Sequence, residues 1–530
     1  MKTTSDGGRK LDRSRERCVR KYRLAKDHAL GYFRNQQVEE SLVFAQTSAT
    51  FARWFHFGVW SDGELEDLLS AIGVSILSRL ADRPPSGGRS GGKILYVATH
   101  LDAIGGHGEV LRLWLKLLAG KQNVEQYLLP TRRVTPAFLA KIKGTGCTLL
   151  NIGGETLTQQ IESFVQQCLD VQPGHIFLFT DPDDVVAITA VGALKAHLGV
   201  RVMLCDHADL AFWLGKQITD VLVEFSPAQV YVSRTLRHYE GSLAVVPLTT
   251  DLTDGGVSKP EPEEARASTS SLSIASPLKI IPDGTWDYFA VIRTILERNP
   301  THRHVLLTLP DPHIAEALRG WPKSVLDRLS VAYNVTGLTP YYRQADFLIE
   351  TFPFSGGQVR VEAMAFGLPM IFVRNPHLSL MIAHSGIDTI AGSYPFIADS
   401  NVDVIHHAEA LMTHPDLRRH CGQLLGAMFR QDFPPELVRS KLEALVDGAS
   451  SFEGLGRASE MAGTGHVDED YLLSRDLDRA QFPSPFLMVG RDMMRTGKVR
   501  FSVLFACLCN LMPEDWLWAW KRLARRVAGS

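Results

Sequence analysis

The sequence predicts an α/β chain with two tandem Rossmann-like domains, an α-helical N-terminal cap and C-terminal helices. Three observations predict it. Short apolar runs, typical of strands buried on both faces, alternate with amphipathic stretches, the pattern of βαβ units on a parallel sheet. The alternation occurs twice, on either side of a stretch rich in Asp, Gly, Pro, Glu, Ser and Thr at residues 251–271. The chain has 530 residues, more than one ordinary domain needs.

Taken in order, residues 1–23 carry Arg9, Lys10, Arg13, Arg15, Arg17, Arg20, Lys21 and Arg23 with no apolar core behind them. They are expected to form a solvated, disordered tail rather than a secretory signal, an electrostatic tether being the other reading. Residues 24–90 read as a helical cap and linker. Val43, Phe44, Phe51, Trp54 and Phe55 recur at helical spacing, and Ser61-Asp62-Gly63-Glu64 reads as a capping turn before a helix at 65–77. Pro-Pro and Gly-Gly steps mark residues 82–92 as a linker. The first alternating series, residues 91–250, is expected to place strands at 93–99, 125–129, 147–151, 175–180, 200–204 and 229–232. After the linker at 251–271, the second series covers 272–450, with strands at 272–275, 304–309, 347–350 and 370–373 and helices at 286–297 and 358–366. Residues 451–530 read as a linker followed by helices. Two such sheets leave a cleft at their carboxyl ends, where open α/β folds bind ligands.

Composition narrows the function classes. Hydrophobic residues make up 45% and charged residues 22%, as in globular proteins. A net charge of −2 gives no pull toward nucleic acid. Seven scattered cysteines fit a reducing compartment rather than a disulfide framework. Cys507 and Cys509, inside the apolar run 501–511, read as buried thiols. No apolar stretch is long enough to span a bilayer, so a cytoplasmic location is expected, with peripheral contact at the inner membrane as a second reading. That reading rests on a C-terminal stripe of Trp516, Leu517, Trp520, Leu523, Ala524 and Val527 beside Lys521, Arg522, Arg525 and Arg526. The stripe is expected to pack back against the domains rather than lie on lipid.

The strongest motif runs from Glu350 to Pro369. A strand ends at Glu350, Gly356 and Gly357 make a turn after Ser355, and a helix starts near Gln358. Free N–H groups and the helix dipole at such a start suit a diphosphate, and glycine lets it approach the backbone. Glu362, one turn in, is placed to accept hydrogen bonds from ribose hydroxyls. Gly367 and Pro369 read as helix C-cap and approach to the next strand. The run 351–369 resembles the donor-site segment of GT-B glycosyltransferases, particularly the O-GlcNAc-transferase-like branch with its "DTFPYNGGTT…EAL…G.P" pattern. It is also similar to the "EAMA.GLP" ending of the large retaining family, which carries a first glutamate eight positions before the second. Here that position is Phe354.

Ile104-Gly105-Gly106-His107-Gly108-Glu109 follows the first buried strand and resembles the first glycine loop of GT-B enzymes. Such a loop would bring the amides of Gly105 and Gly106 to the sugar or its phosphate. His107 is read as a general base whose pKa lies near working pH, or as a cap on a helix beginning at Gly108. Asp206, His207 and Asp209 follow another strand. His207 is read as contacting the donor or as the base, oriented by Asp206 or Asp209; alternatively the two aspartates cap a following helix, with Phe212, Trp213 and Leu214 in the core. Lys279, after the first strand of the second domain, is placed to pair with the diphosphate. Arg360, Ser233 and Arg234 are weaker anion candidates, and Tyr341 and Tyr342 are base-stacking or core residues. Asp181-Pro182-Asp183-Asp184 reads as a helix N-cap rather than a metal site. The resemblance implies transfer of a sugar from a nucleoside diphosphate sugar to a protein, glycan or lipid-linked acceptor, with no metal and no further cofactor. The rival readings are a nucleotide-sugar epimerase of the same fold and a non-catalytic binding module.

Overall fold

The computed structural model describes residues 4–80, 92–252, 268–379, 394–448, 467–479, 484–496, 501–513, 515–518 and 520. The chain opens with three helices, α1 (Thr4–Arg34), α2 (Val38–Trp54) and α3 (Gly63–Leu80). The basic run at 9–23 is therefore part of a helix, not a disordered tail. Its cause is a stripe hidden among the charges: Cys18, Tyr22, Ala25 and Ala29 recur at spacings of four, three and four and are buried. The capping turn before α3 is present, with Asp62 Oδ1 accepting from the Leu65 N–H at 3.0 Å.

The first sheet holds β1 (Lys93–Leu101), β2 (Glu125–Val134), β3 (Thr148–Leu149), β4 (His175–Phe179), β5 (Arg201–Cys205), β6 (Val221–Glu224) and β7 (Ser242–Val245), in the order β3-β2-β1-β4-β5-β6-β7. All its pairings are parallel. Its helices are α4 (Gly106–Leu117), α5 (Pro136–Ile142), α6 (Leu157–Val171) and α7 (Val185–Leu198). The strand expected at 229–232 is instead the helical turn α8 (Gln229–Tyr231). Gln229 Oε1 accepts from the N–H groups of Phe225 and Ser226, and this local cap outweighs the β-propensity of Val230, Tyr231 and Val232.

The second sheet holds β8 (Ser270–Ile274), β9 (Arg303–Thr308), β10 (Leu329–Tyr333), β11 (Phe347–Ile349), β12 (Met370–Val373) and β13 (Ile397–Ala398), in the order β10-β9-β8-β11-β12-β13. Its helices are α9 (Tyr288–Arg298), α10 (Pro312–Ala317), α11 (Lys323–Leu326), α12 (Thr339–Gln344), α13 (Gly357–Ala365), α14 (Asn401–Thr413) and α15 (Pro415–Asp432). Both sheets thus share one winding, and in each the chain reverses beside the first strand. Asp251, where the linker starts, pairs with Arg112 and Lys116 of α4, each at 2.6 Å. Residues 253–267 lie outside the described residues.

The chain then recrosses to the first domain. Val438, Leu442 and Leu445 of α16 (Pro435–Val446) join the core formed by Trp114, Phe177 and Phe179 on one face of the first sheet. Then follow α17 (Glu469–Arg479), α18 (Pro485–Thr496) and α19 (Phe501–Cys509). Phe486, Val489, Val503 and Cys507 join α1–α3 in the core on the opposite face. Cys507 is buried as expected, but Cys509 is exposed, because it lies on the outward side of a helix that is apolar all round. Trp516, Leu517 and Trp520 are likewise exposed and do not fill core. Residues 521–530, the rest of the C-terminal stripe, lie outside the described residues. No helix among the described residues is long and apolar enough to cross a membrane.

Candidate functional site

Because the two sheets share one winding, each glycine loop lies at a point where strand order reverses, β1 beside β4 and β8 beside β11. Between them is a cavity of about 1050 Å³ lined by both domains. Gly105 has φ 126°, a conformation that favours glycine, and N-caps α4. A Cβ placed on Gly106 would lie 3.5 Å from Gln358 Cβ, so the two loops face each other closely.

On the second-domain wall, Gly356 caps α13 without a side-chain hydrogen bond. The first backbone bond into the helix runs from the Arg360 N–H to the Gly356 carbonyl at 3.3 Å, which leaves Gly357, Gln358 and Val359 the N–H groups of a helix start. Lys279 Nζ donates to the Ser355 carbonyl at 2.8 Å and lies 3.3 Å from where a Gly356 Cβ would be. Burial, then the Arg360 charge, push its pKa down to about 8, against Glu350 and Asp209. Arg360 is buried behind the loop, engaged with Glu350 and with Ser355 Oγ at 2.9 Å. Its role is to brace the turn. Gly367, at φ 57°, follows α13 as its C-terminal glycine.

Glu362 is not an open carboxylate at the mouth. It is 3% exposed and accepts from the Tyr342 hydroxyl at 2.7 Å and Gln358 Nε2 at 3.1 Å. Burial pushes its pKa up to about 7 against these two bonds. Gln358 also donates to the Thr249 carbonyl at 2.9 Å, while its Oε1 is buried without a hydrogen-bond partner. Tyr342 is core, stacked on Phe366 at 5.1 Å, and Tyr341 packs against the same core.

On the first-domain wall the rings of His107 and His207 are 4.0 Å apart. His107 caps nothing: the helix begins at Gly106, and Nδ1 is buried without a partner. Burial, then the adjacent His207, hold its pKa well below the ordinary imidazole value, contrary to the expectation of a group titrating near neutrality. Burial also takes His207 down to about 4, and its Nδ1 is 3.3 Å from the Cys205 carbonyl. Asp206 does not orient it. That carboxylate is locked to the buried Arg237 at 2.6 Å. Arg237 also donates to the carbonyls of Ala208, Asp209 and Ala211 at 3.1, 2.7 and 2.9 Å and lies 4.9 Å from the Trp213 ring centre. It thereby fixes the loop that carries His207 and Asp209 into the cavity wall. No helix follows this loop, so Asp206 and Asp209 cap none; Phe212, Trp213 and Leu214 are core as expected.

Ser233 is buried on Glu224, and Arg234 donates to the Tyr239 carbonyl; neither lines the cavity. Asp184 N-caps α7 through the Ala187 N–H at 3.0 Å, and Asp181 and Asp183 pair with Arg53 at 3.1 and 2.7 Å. Against burial, His100 and Arg53 hold Asp181 below the usual carboxylate range. Among the described residues no group of three or more His, Cys, Asp or Glu side chains is placed to hold a metal.

Four further residues shape the cavity without any motif to announce them. Arg475 of α17 lies 3.5 Å from the centre of the Phe354 ring and donates to the Leu278 carbonyl at 3.0 Å. His56, beyond α2, donates through Nδ1 to the Asp476 carboxylate and through Nε2 to the Leu210 carbonyl. Leu472, Arg475 and Asp476 all line the cavity. A C-terminal helix therefore closes a site whose first-domain wall lies hundreds of residues earlier.

No protein-family model matches the sequence, and no curated protein matches it. Solved structures do. Anabaena HepE in complex with UDP and glucose aligns over 67% of this chain and 100% of its own, with a TM-score of 0.51 at 11% identity. HepE in complex with UDP aligns over the same shares, with a TM-score of 0.51 at 12% identity. A Thermobaculum terrenum O-GlcNAc transferase mutant aligns over 86% of this chain and 83% of its own, with a TM-score of 0.41 at 14% identity. At such identities the likeness to HepE is one of fold: two Rossmann-like domains facing across a cleft, the GT-B architecture.

Proposed function

We propose that the cleft binds a nucleoside diphosphate sugar and transfers its sugar to an acceptor hydroxyl or amide. One observation carries this reading: Lys279 Nζ and the open start of α13 converge on a single glycine turn, directly opposite the Gly105–Gly106 loop. A half-buried ammonium beside free helix N–H groups is an anion site, and the facing loop leaves room for a group attached to that anion. The complexes of HepE with UDP and with UDP and glucose support the same ligand class in a cleft of this architecture.

In the proposed reaction the bond between sugar and diphosphate breaks as a bond to the acceptor forms. Lys279 and the amides of Gly357 and Gln358 stabilise the charge that develops on the departing diphosphate. Glu362, held by Tyr342 and Gln358, faces the ribose. His107 and His207 form the acceptor-side wall; both are neutral at working pH, so they serve as hydrogen-bonding groups rather than efficient proton acceptors. Asp209 contributes negative charge opposite Lys279.

Calorimetric titration with UDP, GDP and the corresponding nucleosides tests the reading. Diphosphates are expected to bind at least tenfold more tightly than nucleosides, and Lys279→Met to remove most of that difference, roughly 1.5–3 kcal/mol. Mass spectrometry of incubations with donor alone and with candidate acceptors separates transfer from epimerisation. A folded wild-type protein that binds no nucleoside diphosphate would sink the proposal.

A further inference from the structure

Two features that the cleft does not use, the basic run near the N-terminus and the aromatic segment near the C-terminus, are brought together by the fold. Lys21 of α1 and Asp515 form a buried ion pair at 2.6 Å. Asp515 also accepts from the Met512 N–H at 3.0 Å, and Arg20 Nη2 reaches Met512 Sδ at 3.0 Å. These contacts clamp the segment after α19 onto α1. Around the clamp, large apolar side chains stand in solvent: Phe505 is 71% exposed, Trp516 51%, Leu517 53% and Trp520 69%. Scattered exposed apolar residues need no explanation, but Trp516, Leu517 and Trp520 within five consecutive positions, next to the clamp at Asp515, do.

The neighbouring surface of α1 is basic. Arg9, Lys10, Arg13, Arg17, Arg20 and Arg23 are exposed there against Asp12, Glu16 and Asp27, an excess of positive charge in a chain whose net charge is −2. Indole rings favour the boundary between headgroups and acyl chains, and arginines beside them favour acidic headgroups. A second copy of this chain fits less well, because a two-fold interface would set the basic face of α1 against or beside its own mate.

We propose that this composite face, built from α1, α19 and the residues 511–520 that the structure describes, docks on a bilayer surface bearing acidic headgroups. The aromatic side chains enter the interface while α1 lies along the headgroups. The inference is independent of the nucleotide reading, since no residue of the face lines the cleft.

The test is co-sedimentation of the full chain with vesicles of phosphatidylcholine alone and of phosphatidylcholine with phosphatidylglycerol, at low and high salt. Binding to the acidic vesicles is expected to exceed binding to neutral ones at least tenfold and to weaken as salt rises. Trp516→Ser/Trp520→Ser and, separately, Arg13→Glu/Arg17→Glu should each lower binding at least tenfold while leaving the melting temperature and nucleotide affinity unchanged. Should a variant misfold, quenching of wild-type tryptophan fluorescence by brominated lipid supplies the second measurement, and quenching is expected. Equal binding to both vesicle types, or no binding and no quenching, overturns the proposal. So does dimerisation in light scattering that the tryptophan variant abolishes when vesicle binding is absent, since the face then belongs to a second copy.

Discussion

Lys279 and Glu362 are moved by burial to opposite sides of a narrow window, about 8 for the ammonium and about 7 for the carboxyl. If the nucleotide needs both charged, its affinity rises as pH climbs through about 7, where Glu362 ionises, and falls as pH passes about 8, where Lys279 loses its proton. A bell-shaped dependence of affinity is therefore expected in calorimetry between pH 5.5 and 9.5. Glu362→Gln should flatten the acid limb and Lys279→Met the alkaline one; a limb that persists in its variant refutes that assignment. The stability of the fold carries a separate signature. A folded-state carboxyl pKa raised above its unfolded value stabilises at acid pH, and that contribution is lost as pH rises through about 7. The glycines and Lys279 were legible because each sits in a loop that follows a strand, and Glu362 because it lies in the helix that such a loop starts, where local pattern fixes position. Arg237, Arg475 and His56 were not, because what they hold comes from elsewhere in the chain: Arg237 reaches 31 residues back to Asp206, and His56 pairs with Asp476 across 420.

At the scale of elements, the start of α13 is the most constrained piece of the cleft. A Cβ on Gly356 would meet Lys279 Nζ at 3.3 Å, and one on Gly357 would meet Leu248 Cδ1 at 2.9 Å. Gly356→Ala is expected to fold, since φ is −127° and any residue adopts it. It should nonetheless displace the ammonium and weaken nucleoside diphosphate binding about tenfold, the scale of one charged hydrogen bond. An unchanged dissociation constant would show that the amine is not part of the anion site. Inner strands such as β1, β4 and β12 were readable as continuous apolar runs. Two strands absent from the sequence reading, β10 and β13, lie at sheet edges, and neither is fully buried. The short β6 and β7 were hidden between loops, and the valines after Ser226 imitated a strand while the Gln229 side chain wound them into a turn.

At the scale of the molecule, both faces of the first sheet are completed from the far end of the chain, one by α16 and the other by α18 and α19. Removing residues 467–530 strips Phe486, Val489, Val503 and Cys507 from one core, and takes Arg475 and Asp476 from the cleft. Side-chain losses of this kind cost roughly 2–5 kcal/mol each in a core. The truncated chain is expected to lose at least 10 °C of melting temperature and most amide protection in α1–α3. Protection that survives intact would mean that the cap stands by itself.

The clamp between Lys21 and Asp515 also sets an order of events during synthesis. The two residues are separated by 494 positions. At roughly 5–20 residues per second the lysine leaves the ribosome about 25–100 s before its partner exists. For that interval the stripe of Cys18, Tyr22, Ala25 and Ala29 lacks the C-terminal part of its cover, so the nascent first domain presents apolar surface that chaperones recognise. A segment translated late thus finishes a domain begun early.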